Sequence, residues 1–327
     1  MIFQETNQPA SRSSSTAFEP RSEILEEVLK GLASQPKELP SRYLYDRRGA
    51  ELFEEICQLD EYYIPRIELE ILDLALSEVA DAVGHDALVI EPGSGAATKT
   101  RLLLSRLHSP AAYVPVDLSE AQLLASADQL AREFPRITVK PICADFTGPF
   151  DLPRLDRPIG RRLVFFPGST IGNFLPDSAM KVLRRIRSLI GPHGLLLIGV
   201  DLRKDARIIE AAYDDSAGIS AAFAMNYLAR LNRECQADFH LDRFSYEAVY
   251  NSHLGRVEMC LVSLSDQNVV IAGRPIAFRA GERIRTEVSY KYTLEAFGAV
   301  SGLAGLIVDR IWTDPSRFFS VQLLRSA

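Results

Sequence analysis

The sequence predicts an α/β fold with a doubly wound, mostly parallel sheet, and three observations support this. First, the apolar run from Ala87 to Ile90 ends at the acidic residue Glu91. Second, the tight turn Gly93-Ser94-Gly95 follows, and a helix-forming segment starts at about Thr98. Third, four further apolar segments alternate with helical patterns as far as about Asp201. Strand, turn and helix in this order open a doubly wound sheet, whose ligands bind outside the carboxyl ends of the strands.

The glycine turn favours close approach of a ligand to the backbone, because neither glycine carries a Cβ atom. It does not match the dinucleotide fingerprint, since Ala96-Ala97-Thr98 stands where a third glycine is expected. The mismatch disfavours a dehydrogenase. A Gly-x-Gly turn also occurs at purely structural corners, so other residues must decide between the two uses.

Acidic residues at the ends of the second and third strands are the next indication. Asp117 closes the apolar segment from Ala112 to Val116, and Asp145-Phe146 follows a third strand at about Ile137 to Cys143. An acid at the end of the second strand can accept hydrogen bonds from both ribose hydroxyls of a nucleoside. An acid beside an aromatic ring at the end of the third strand can bind the adenine amino group, while the ring stacks on the base. Alternatively, both acids merely cap the helices that follow them.

Composition and charge exclude several classes of protein. The chain has 327 residues, of which 47% are hydrophobic, enough for one large domain or two medium ones. A net charge of −6 without any Lys/Arg run argues against nucleic-acid binding. No run of about 18 apolar residues occurs, so no membrane span is expected. Residues 1–20 are rich in Ser, Thr, Pro and Gln and are predicted to be a disordered leader, not a signal peptide.

The four cysteines and five histidines are scattered and lack the spacing of metal ligands. The pattern predicts neither a zinc centre nor a disulfide framework, and it fits a reducing cytoplasm. The cysteines are Cys57, Cys143, Cys235 and Cys260.

The hydrophobic pattern changes on both sides of the predicted α/β core. Helical segments precede the core, and a helical region at 207–231 follows it. Alternating strands then indicate an antiparallel module, and two last apolar runs predict a terminal hairpin that completes the main sheet. The strands of the module are predicted at 244–251, 256–264, 268–272 and 284–292, and those of the hairpin at 306–312 and 319–324.

Short motifs follow one another in order along nearly all of the chain after residue 20. They are Tyr43-Leu44-Tyr45-Asp46, Leu59-Asp60-Glu61-Tyr62-Tyr63, Gly93-Ser94-Gly95 with Lys99-Thr100-Arg101, Gly168-Ser169-Thr170-Ile171-Gly172-Asn173, Tyr213-Asp214-Asp215, Arg256-Val257-Glu258-Met259 and Thr286-Glu287-Val288-Ser289. Together these motifs resemble those of the histidine Nα-methyltransferases of ergothioneine biosynthesis. The resemblance implies S-adenosylmethionine (SAM) as methyl donor and conversion of L-histidine to Nα,Nα,Nα-trimethylhistidine, or hercynine.

The resemblance also implies a fold: a Rossmann-like SAM methyltransferase sheet with a second, α+β substrate-binding domain. The SAM-binding domain would comprise residues 67–202 and 292–327. The domain that binds the amino acid would comprise residues 21–66 and 203–291, in agreement with the changes in hydrophobic pattern.

Site residues follow from the same motifs. Tyr45 and Asn173 would be the catalytic residues, and Asn173 would also bind the substrate. The remaining substrate-binding residues would be Tyr62, Tyr213, Met259, Glu287 and Ser289, and the SAM-binding residues would be Gly93, Lys99, Asp117, Asp145 and Phe146. The glycine loop departs from the family, because Pro92 lacks an N–H and Ala96-Ala97 lacks hydroxyls.

The chemistry of methyl transfer suits these residue types. The enzyme must align a neutral amine with the methyl group, which Asn173 can do through its amide, and Tyr45 can take the amine proton or orient the amine. Glu287 and Ser289 lie two apart on one face of a strand, where a carboxylate and a hydroxyl suit the two nitrogens of an imidazole. Met259 can pack against the ring. Alternatively, Glu287 and Ser289 belong to an exposed strand face, and Tyr62 and Tyr213 are core residues.

Two other functions stay open. One is Nα-methylation of another amino acid, such as tryptophan, although a carboxylate at Glu287 suits imidazole N–H groups better. The other is a SAM-binding module without turnover, which the combination of Asn173 and Glu287 disfavours. We expect a cytoplasmic monomer that acts on a small molecule and needs no metal or covalent nucleophile.

Overall fold

The computed structural model describes residues 20–95 and 97–327, with side chains from residue 24 onwards. The predicted leader lies outside these residues, apart from Pro20, at which the first helix begins. The helices are α1 (Pro20–Leu32), α2 (Arg47–Ile56), α3 (Ile64–Val83), α4 (Thr98–Arg106), α5 (Glu120–Glu133), α6 (Pro176–Ile190), α7 (Ala206–Tyr213), α8 (Ile219–Glu234) and α9 (Leu294–Leu303). The strands are β1 (Lys37–Glu38), β2 (Leu88–Pro92), β3 (Ala112–Asp117), β4 (Thr138–Val139), β5 (Ile142–Cys143), β6 (Arg162–Phe166), β7 (Leu195–Asp201), β8 (Phe244–Asn251), β9 (Arg256–Ser263), β10 (Gln267–Ile271), β11 (Arg274–Phe278), β12 (Arg283–Tyr290), β13 (Leu306–Thr313) and β14 (Phe319–Ser326).

The larger sheet has the strand order β13-β14-β7-β6-β2-β3-β4, and β5 also pairs with β3. Strands β7, β6, β2 and β3 are parallel, and β2 and β7 are buried along their whole length. Such continuous apolar strands belong to a sheet that is covered on both faces. Here α3 and α4 contribute to the core on one face, and α6 and α9 contribute to the core on the other. The predicted Rossmann-like α/β fold is confirmed.

The terminal hairpin is confirmed as well, since β13 pairs antiparallel with β14, and β14 pairs antiparallel with β7. The predicted third strand is wrong in detail. It consists of two short strands, β4 and β5, which both run parallel to β3. Pro141 lies between them and cannot donate to the ladder, so the strand is interrupted. The predicted helix at 207–231 is divided into α7 and α8 before Gly218, whose φ is +73°.

A second sheet has the order β1-β12-β9-β8. It combines two residues from before the larger sheet, in β1, with strands that follow β7. After β7 the chain leaves the larger sheet. It returns at Tyr292, which forms a parallel bridge with Leu202 directly after β7. The division into a SAM-binding domain (67–202 and 292–327) and a substrate-binding domain (21–66 and 203–291) stays a prediction. No described helix is long and apolar enough to span a bilayer.

Candidate active site

The glycine turn lies between β2 and α4, at the carboxyl ends of the parallel strands. Gly93 has a φ of +71° and donates its N–H to the carbonyl oxygen of Val116, at 2.8 Å. A Cβ on Gly93 would lie 3.6 Å from the ring of Phe146, so this ring stands beside the turn. Among the described side chains, none caps the N-terminus of α4. Its first N–H groups are therefore available to a negatively charged ligand.

Each of the two predicted acids uses one oxygen in a local turn. Asp117 Oδ1 accepts a hydrogen bond from the N–H of Ser119 at 2.9 Å. Asp145 Oδ1 accepts from the N–H of Thr147 at 2.8 Å and from its hydroxyl at 2.6 Å. Within residues 20–95 and 97–327, the second oxygen of either acid has no partner. The capping role and a ligand-binding role are thus compatible.

A small cavity of about 10 Å³ lies beside Asp117 and the glycine turn; its lining is Ser94, Gly95, Asp117, Gln122 and Leu123. A larger groove of about 580 Å³ lies elsewhere, and no predicted site residue lines it. Its lining residues are Asp60, Glu61, Tyr63, Arg66, Asp205, Arg207, Ile208, Ala211 and Phe318.

Glu91, the acidic residue near the end of β2, links this strand to β3 and α4. Its carboxyl group accepts hydrogen bonds from the hydroxyls of Tyr113 (2.5 Å) and Thr100 (2.7 Å). Burial raises its pKa to about 7, although these two hydroxyls act in the opposite direction. The E-x-G-x-G pattern marks this residue in the sequence, but only the structure reveals its partners.

Lys99 lies in the first turn of α4, and its ammonium group forms an ion pair with the buried carboxylate of Glu68 on α3. Both oxygens of Glu68 also accept the N–H of Gly168, at 2.9 and 2.8 Å. Lys99 therefore takes part in a junction between α3, α4 and the end of β6. Sequence reasoning missed Glu68, which is separated from Gly168 by 100 residues.

Asn173 reaches the second sheet through the 3-10 turn Thr170–Asn173, which follows β6. The turn packs closely on β12, since a Cβ on Gly172 would lie 2.7 Å from the carbonyl oxygen of Tyr290. Asn173 Nδ2 then donates to Glu287 Oε1 at 3.1 Å. A residue of the larger sheet thus contacts the predicted ring-binding carboxylate.

Glu287 lies on β12 directly opposite Met259 on β9, so both side chains emerge on the same face of the second sheet. Burial raises the pKa of Glu287 to about 8, and the positive charge of Lys291 opposes this rise. Burial at this position therefore disfavours the charged carboxylate when no ligand is bound. The alternative of an exposed strand face is wrong, because Glu287 is half-buried and Ser289 is only 3% exposed.

Ser289, Tyr213 and Lys291 form a connected group beside Glu287. The hydroxyls of Ser289 and Tyr213 are 2.9 Å apart. Lys291 Nζ donates to Tyr213 at 2.6 Å and to Ser289 at 2.9 Å, and it forms an ion pair with Asp201 Oδ2 at 2.6 Å. Lys291 and Asp201 are both buried, and sequence reasoning missed both.

Aromatic rings from the N-terminal segment complete the site. Tyr45 contacts Phe53 and Phe223 edge-on, at centroid distances of 5.5 and 5.3 Å. Tyr62 contacts Phe53 at 6.3 Å and Tyr213 at 5.8 Å. Burial raises the pKa values of the Tyr45 and Tyr62 hydroxyls, and the charge of Glu287 adds to this rise. Tyr62 belongs to the buried core, and its ring lies next to Tyr213 of the proposed site.

The segment that carries Tyr45 is held by the next residue, Asp46. Asp46 Oδ1 caps α2 by accepting the N–H of Gly49 at 2.8 Å, and it also accepts from Asn226 Nδ2 on α8 at 2.7 Å. Tyr45 as a whole residue is 37% exposed, although its hydroxyl group is surrounded by enough protein to raise its pKa. The structure thus gathers the predicted substrate residues Tyr45, Tyr62, Asn173, Tyr213, Met259, Glu287 and Ser289 around one face, with Gly93, Asp117, Asp145 and Phe146 around the glycine turn.

Metal-binding groups of three or more His, Cys, Asp or Glu residues do not occur in the described part of the chain.

A sequence profile described as "Histidine-specific methyltransferase, SAM-dependent" matches residues 24–326. The chain is 41% identical to a histidine N-alpha-methyltransferase of Mycobacterium tuberculosis over 91% of this chain and 93% of that protein. It is 39% identical to the protein of the same name from Mycolicibacterium smegmatis, with the same coverage.

The match extends to a fungal protein. The chain is 30% identical to ergothioneine biosynthesis protein 1 of Neurospora crassa over 85% of this chain, although the match covers only 32% of that longer protein. The profile and the extent of the bacterial matches agree with each other. The chain belongs to the family of SAM-dependent, histidine-specific methyltransferases.

Proposed function

We propose that the protein methylates the α-nitrogen of L-histidine three times and so produces hercynine for ergothioneine biosynthesis. The observation that carries this proposal is the hydrogen bond between Asn173 and Glu287. It joins the end of β6, where the amine would lie near the methyl donor, to the carboxyl group that would hold the imidazole. A single amino acid can span these two groups.

The glycine turn fits SAM. Gly93 leaves room beside the ring of Phe146, and the uncapped N-terminus of α4 suits the carboxylate of the methionine moiety. The free oxygens of Asp117 and Asp145 would accept hydrogen bonds from the ribose hydroxyls and the adenine amino group. SAM supplies an electrophilic methyl group, so the protein itself needs neither a metal nor a covalent nucleophile.

The second sheet fits histidine. Glu287 would accept a ring N–H, while the Ser289–Tyr213 hydroxyl pair would bind the other ring nitrogen. Met259, opposite Glu287, would pack against the ring as an adaptable apolar wall. Asn173 would orient the α-amine, and Tyr45, whose raised pKa keeps the hydroxyl protonated, would direct the lone pair of the amine.

The aromatic residues suit the product. Tyr45, Phe53 and Phe223 are in mutual ring contact, and such faces attract a quaternary ammonium group by cation–π interaction. Charge on the α-nitrogen rises from a neutral amine to a permanent cation over three transfers. A cage of this kind would favour continued methylation over early release.

Incubation of the protein with SAM and each of the twenty amino acids, followed by mass spectrometry, tests the proposal. We expect a mass increase of three methyl groups on histidine and on no other amino acid. Ring-methylated histidine, or preferential methylation of tryptophan, would contradict it. SAM binding without any methylated product would instead support a module without turnover.

A variant refines the test. Glu287→Ala should lower kcat/KM for histidine by an amount that corresponds to a loss of about 2–4 kcal/mol in transition-state stabilisation. The reason is that a ring N–H would then lose its partner in a desolvated site. Activity on tryptophan should hold or rise, and more so when Met259 is also shortened to Val. SAM affinity should stay unchanged. Equal loss on every amino acid would show that Glu287 is structural.

We also propose that the protein acts as a monomer in the cytoplasm. The four cysteines are free thiols, as is usual in a reducing compartment. Size-exclusion chromatography with light scattering would test the monomeric state, and fractionation of cells would test the cytoplasmic location.

A further inference from the structure

Lys291 uses its full hydrogen-bonding capacity inside the protein. An ammonium group has three N–H donors and no acceptor. The three donors of Lys291 go to Asp201, Tyr213 and Ser289, at 2.6, 2.6 and 2.9 Å. The lysine is 1% exposed, so water does not compete for these bonds. Tyr213 and Ser289 are consequently both acceptors towards Lys291.

This arrangement determines what the two hydroxyls can do next. Each hydroxyl has one proton, and the pair shares one hydrogen bond of 2.9 Å, which uses one of the two protons. The other proton has no acceptor among the residues with described side chains. It is available to a ligand beside Glu287, which lies two residues from Ser289 on the same face. The pair therefore offers a ligand a donor.

We propose that Lys291 is a positioning residue that fixes the direction of the Tyr213–Ser289 pair and thereby selects a ring nitrogen with a free lone pair. The inference rests on the proposed function, in which Glu287 takes the ring N–H. Together, Glu287 and the Tyr213–Ser289 pair would bind a ring that has one N–H and one lone pair, which is a neutral imidazole. An imidazolium ion, with two N–H groups, would meet a donor with a donor.

The surrounding charges keep Lys291 in place as a cation. Asp201 faces it from the end of β7, and Lys204 and the hydroxyl of Tyr63 share the same carboxylate. Tyr213 faces it from α7, and the carboxyl group of Glu287 lies on β12 beyond Ser289. Attraction to Asp201 and hydrogen bonds from Lys291 to its partners keep its pKa above the ordinary value, despite burial.

Two kinds of ring analogue separate the two sides of the site. The pyrrolylalanines keep one ring N–H but replace the other nitrogen with C–H, so they lack the lone pair. The 4- and 5-thiazolylalanines keep a nitrogen lone pair but lack the N–H. We expect the wild-type protein to prefer histidine to both kinds, as judged by kcat/KM in competition.

In Lys291→Met the two hydroxyls lose the N–H donors that fix their direction. The proton that they otherwise offer to a ligand can then be donated within the pair or to a water molecule. Preference for histidine over the pyrrolylalanines should then fall at least about tenfold, while preference over the thiazolylalanines should change by less than about threefold. SAM affinity should not change. Since these are ratios within one variant, partial misfolding does not affect them.

Lys204→Met is the matched control. It removes a positive charge from the same carboxylate, but Lys204 does not contact Tyr213 or Ser289. Both preferences should persist in this variant. If Lys291→Met does not fold, the triple variant Lys291→Met/Asp201→Asn/Lys204→Met removes all three charges of this buried cluster at once, which buried sites tolerate better. The same loss of preference is expected there.

Three outcomes would overturn the inference. An unchanged preference over the pyrrolylalanines in the Lys291 variants would show that Lys291 is structural. An equal loss in Lys204→Met would assign the effect to the charge on Asp201. A wild-type protein without preference for histidine over either kind of analogue would overturn the ring-binding role of Glu287 as well.

Discussion

Both carboxylate oxygens of Glu68 lie within hydrogen-bond distance of the N–H of Gly168, at 2.9 and 2.8 Å. The same carboxylate pairs with Lys99, so one buried acid joins α3, the start of α4 and the turn that carries Asn173. Its side chain fills the space beside Gly199, where a Cβ would collide with it. Both halves of the proposed site therefore depend on this residue for their relative position.

Glu68→Ala should lower the free energy of unfolding by about 3–5 kcal/mol, because it leaves Lys99 and the Gly168 N–H without their partner. Urea unfolding followed by circular dichroism measures this loss. Glu70→Ala, at an exposed position two residues further along α3, is the control and should change stability by no more than about 0.5 kcal/mol. A loss of less than about 1 kcal/mol in Glu68→Ala would contradict the assignment.

Asp117→Ala should weaken SAM binding by about 1.5–3 kcal/mol, the range for the loss of hydrogen bonds to a charged group. Isothermal titration calorimetry with SAM measures this change. Asp128→Ala, an exposed position on α5, should leave affinity unchanged. If a folded Asp117→Ala variant binds SAM as tightly as the wild type, Asp117 serves only the local turn with Ser119.

Gly172→Ala should reduce turnover of histidine and leave SAM binding intact. The added Cβ would approach the carbonyl oxygen of Tyr290 to 2.7 Å and its nitrogen to 3.2 Å, so the turn must move away from β12. Asn173 would then lose its contact with Glu287, and a displacement of about 1 Å can cost on the order of a hundredfold in rate. Steady-state kinetics tests this expectation.

Gly298→Ala provides the control for that substitution, because nothing lies within 4 Å of the added atom on α9. Its turnover should equal that of the wild type. Normal histidine turnover in Gly172→Ala would mean that the close approach of the turn to β12 has no role in placing Asn173.

Stability should depend on pH through Glu287. Burial raises its pKa to about 8 from 4.5, so between these values the folded protein retains a proton that the unfolded chain has released. The free energy of unfolding therefore falls as pH rises, by up to about 1.4 kcal/mol per pH unit, and the fall ends above about pH 8. Glu287→Gln cannot titrate, so its stability relative to the wild type should increase over the same range.

Urea unfolding of both proteins at several pH values between about 5 and 9 measures this difference. Glu91, with a pKa raised to about 7 by burial, has a slope of the same sign, but it is present in both proteins and cancels. A stability difference that stays constant with pH would show that Glu287 ionises in the folded protein as it does in the unfolded chain.

The elements with strong local patterns could be predicted from the sequence. Strand β3 and the strand from Phe244 to Asn251 were found at or near their observed bounds, because apolar and β-branched residues mark them directly. Strand β11 is missing from the strands predicted above, because Gly273-Arg274-Pro275 carries turn signals. Pro275 is tolerated there, since β11 is an edge strand of a two-stranded sheet.

The site could be predicted only where motifs carry it. Glu287, Ser289 and Asn173 were identified by resemblance, and the structure brings them together. Lys291 and Glu68 resemble ordinary surface residues in the sequence, because charged side chains are rarely buried. Their roles depend on partners 90 and 100 residues away, Asp201 and Gly168, and no local pattern reports such distant pairing.

The bridge between Leu202 and Tyr292 has a consequence for how this family can diverge. Arg203 donates its N–H to the carbonyl oxygen of Tyr292 at 2.9 Å, so the segment from 203 to 291 departs and rejoins at a single point of the larger sheet. Segments whose ends are adjacent can be inserted or exchanged without disturbing their host. In the proposed division of the chain, selection for a new acceptor molecule would change the segment from 203 to 291 without interrupting the strands of the larger sheet.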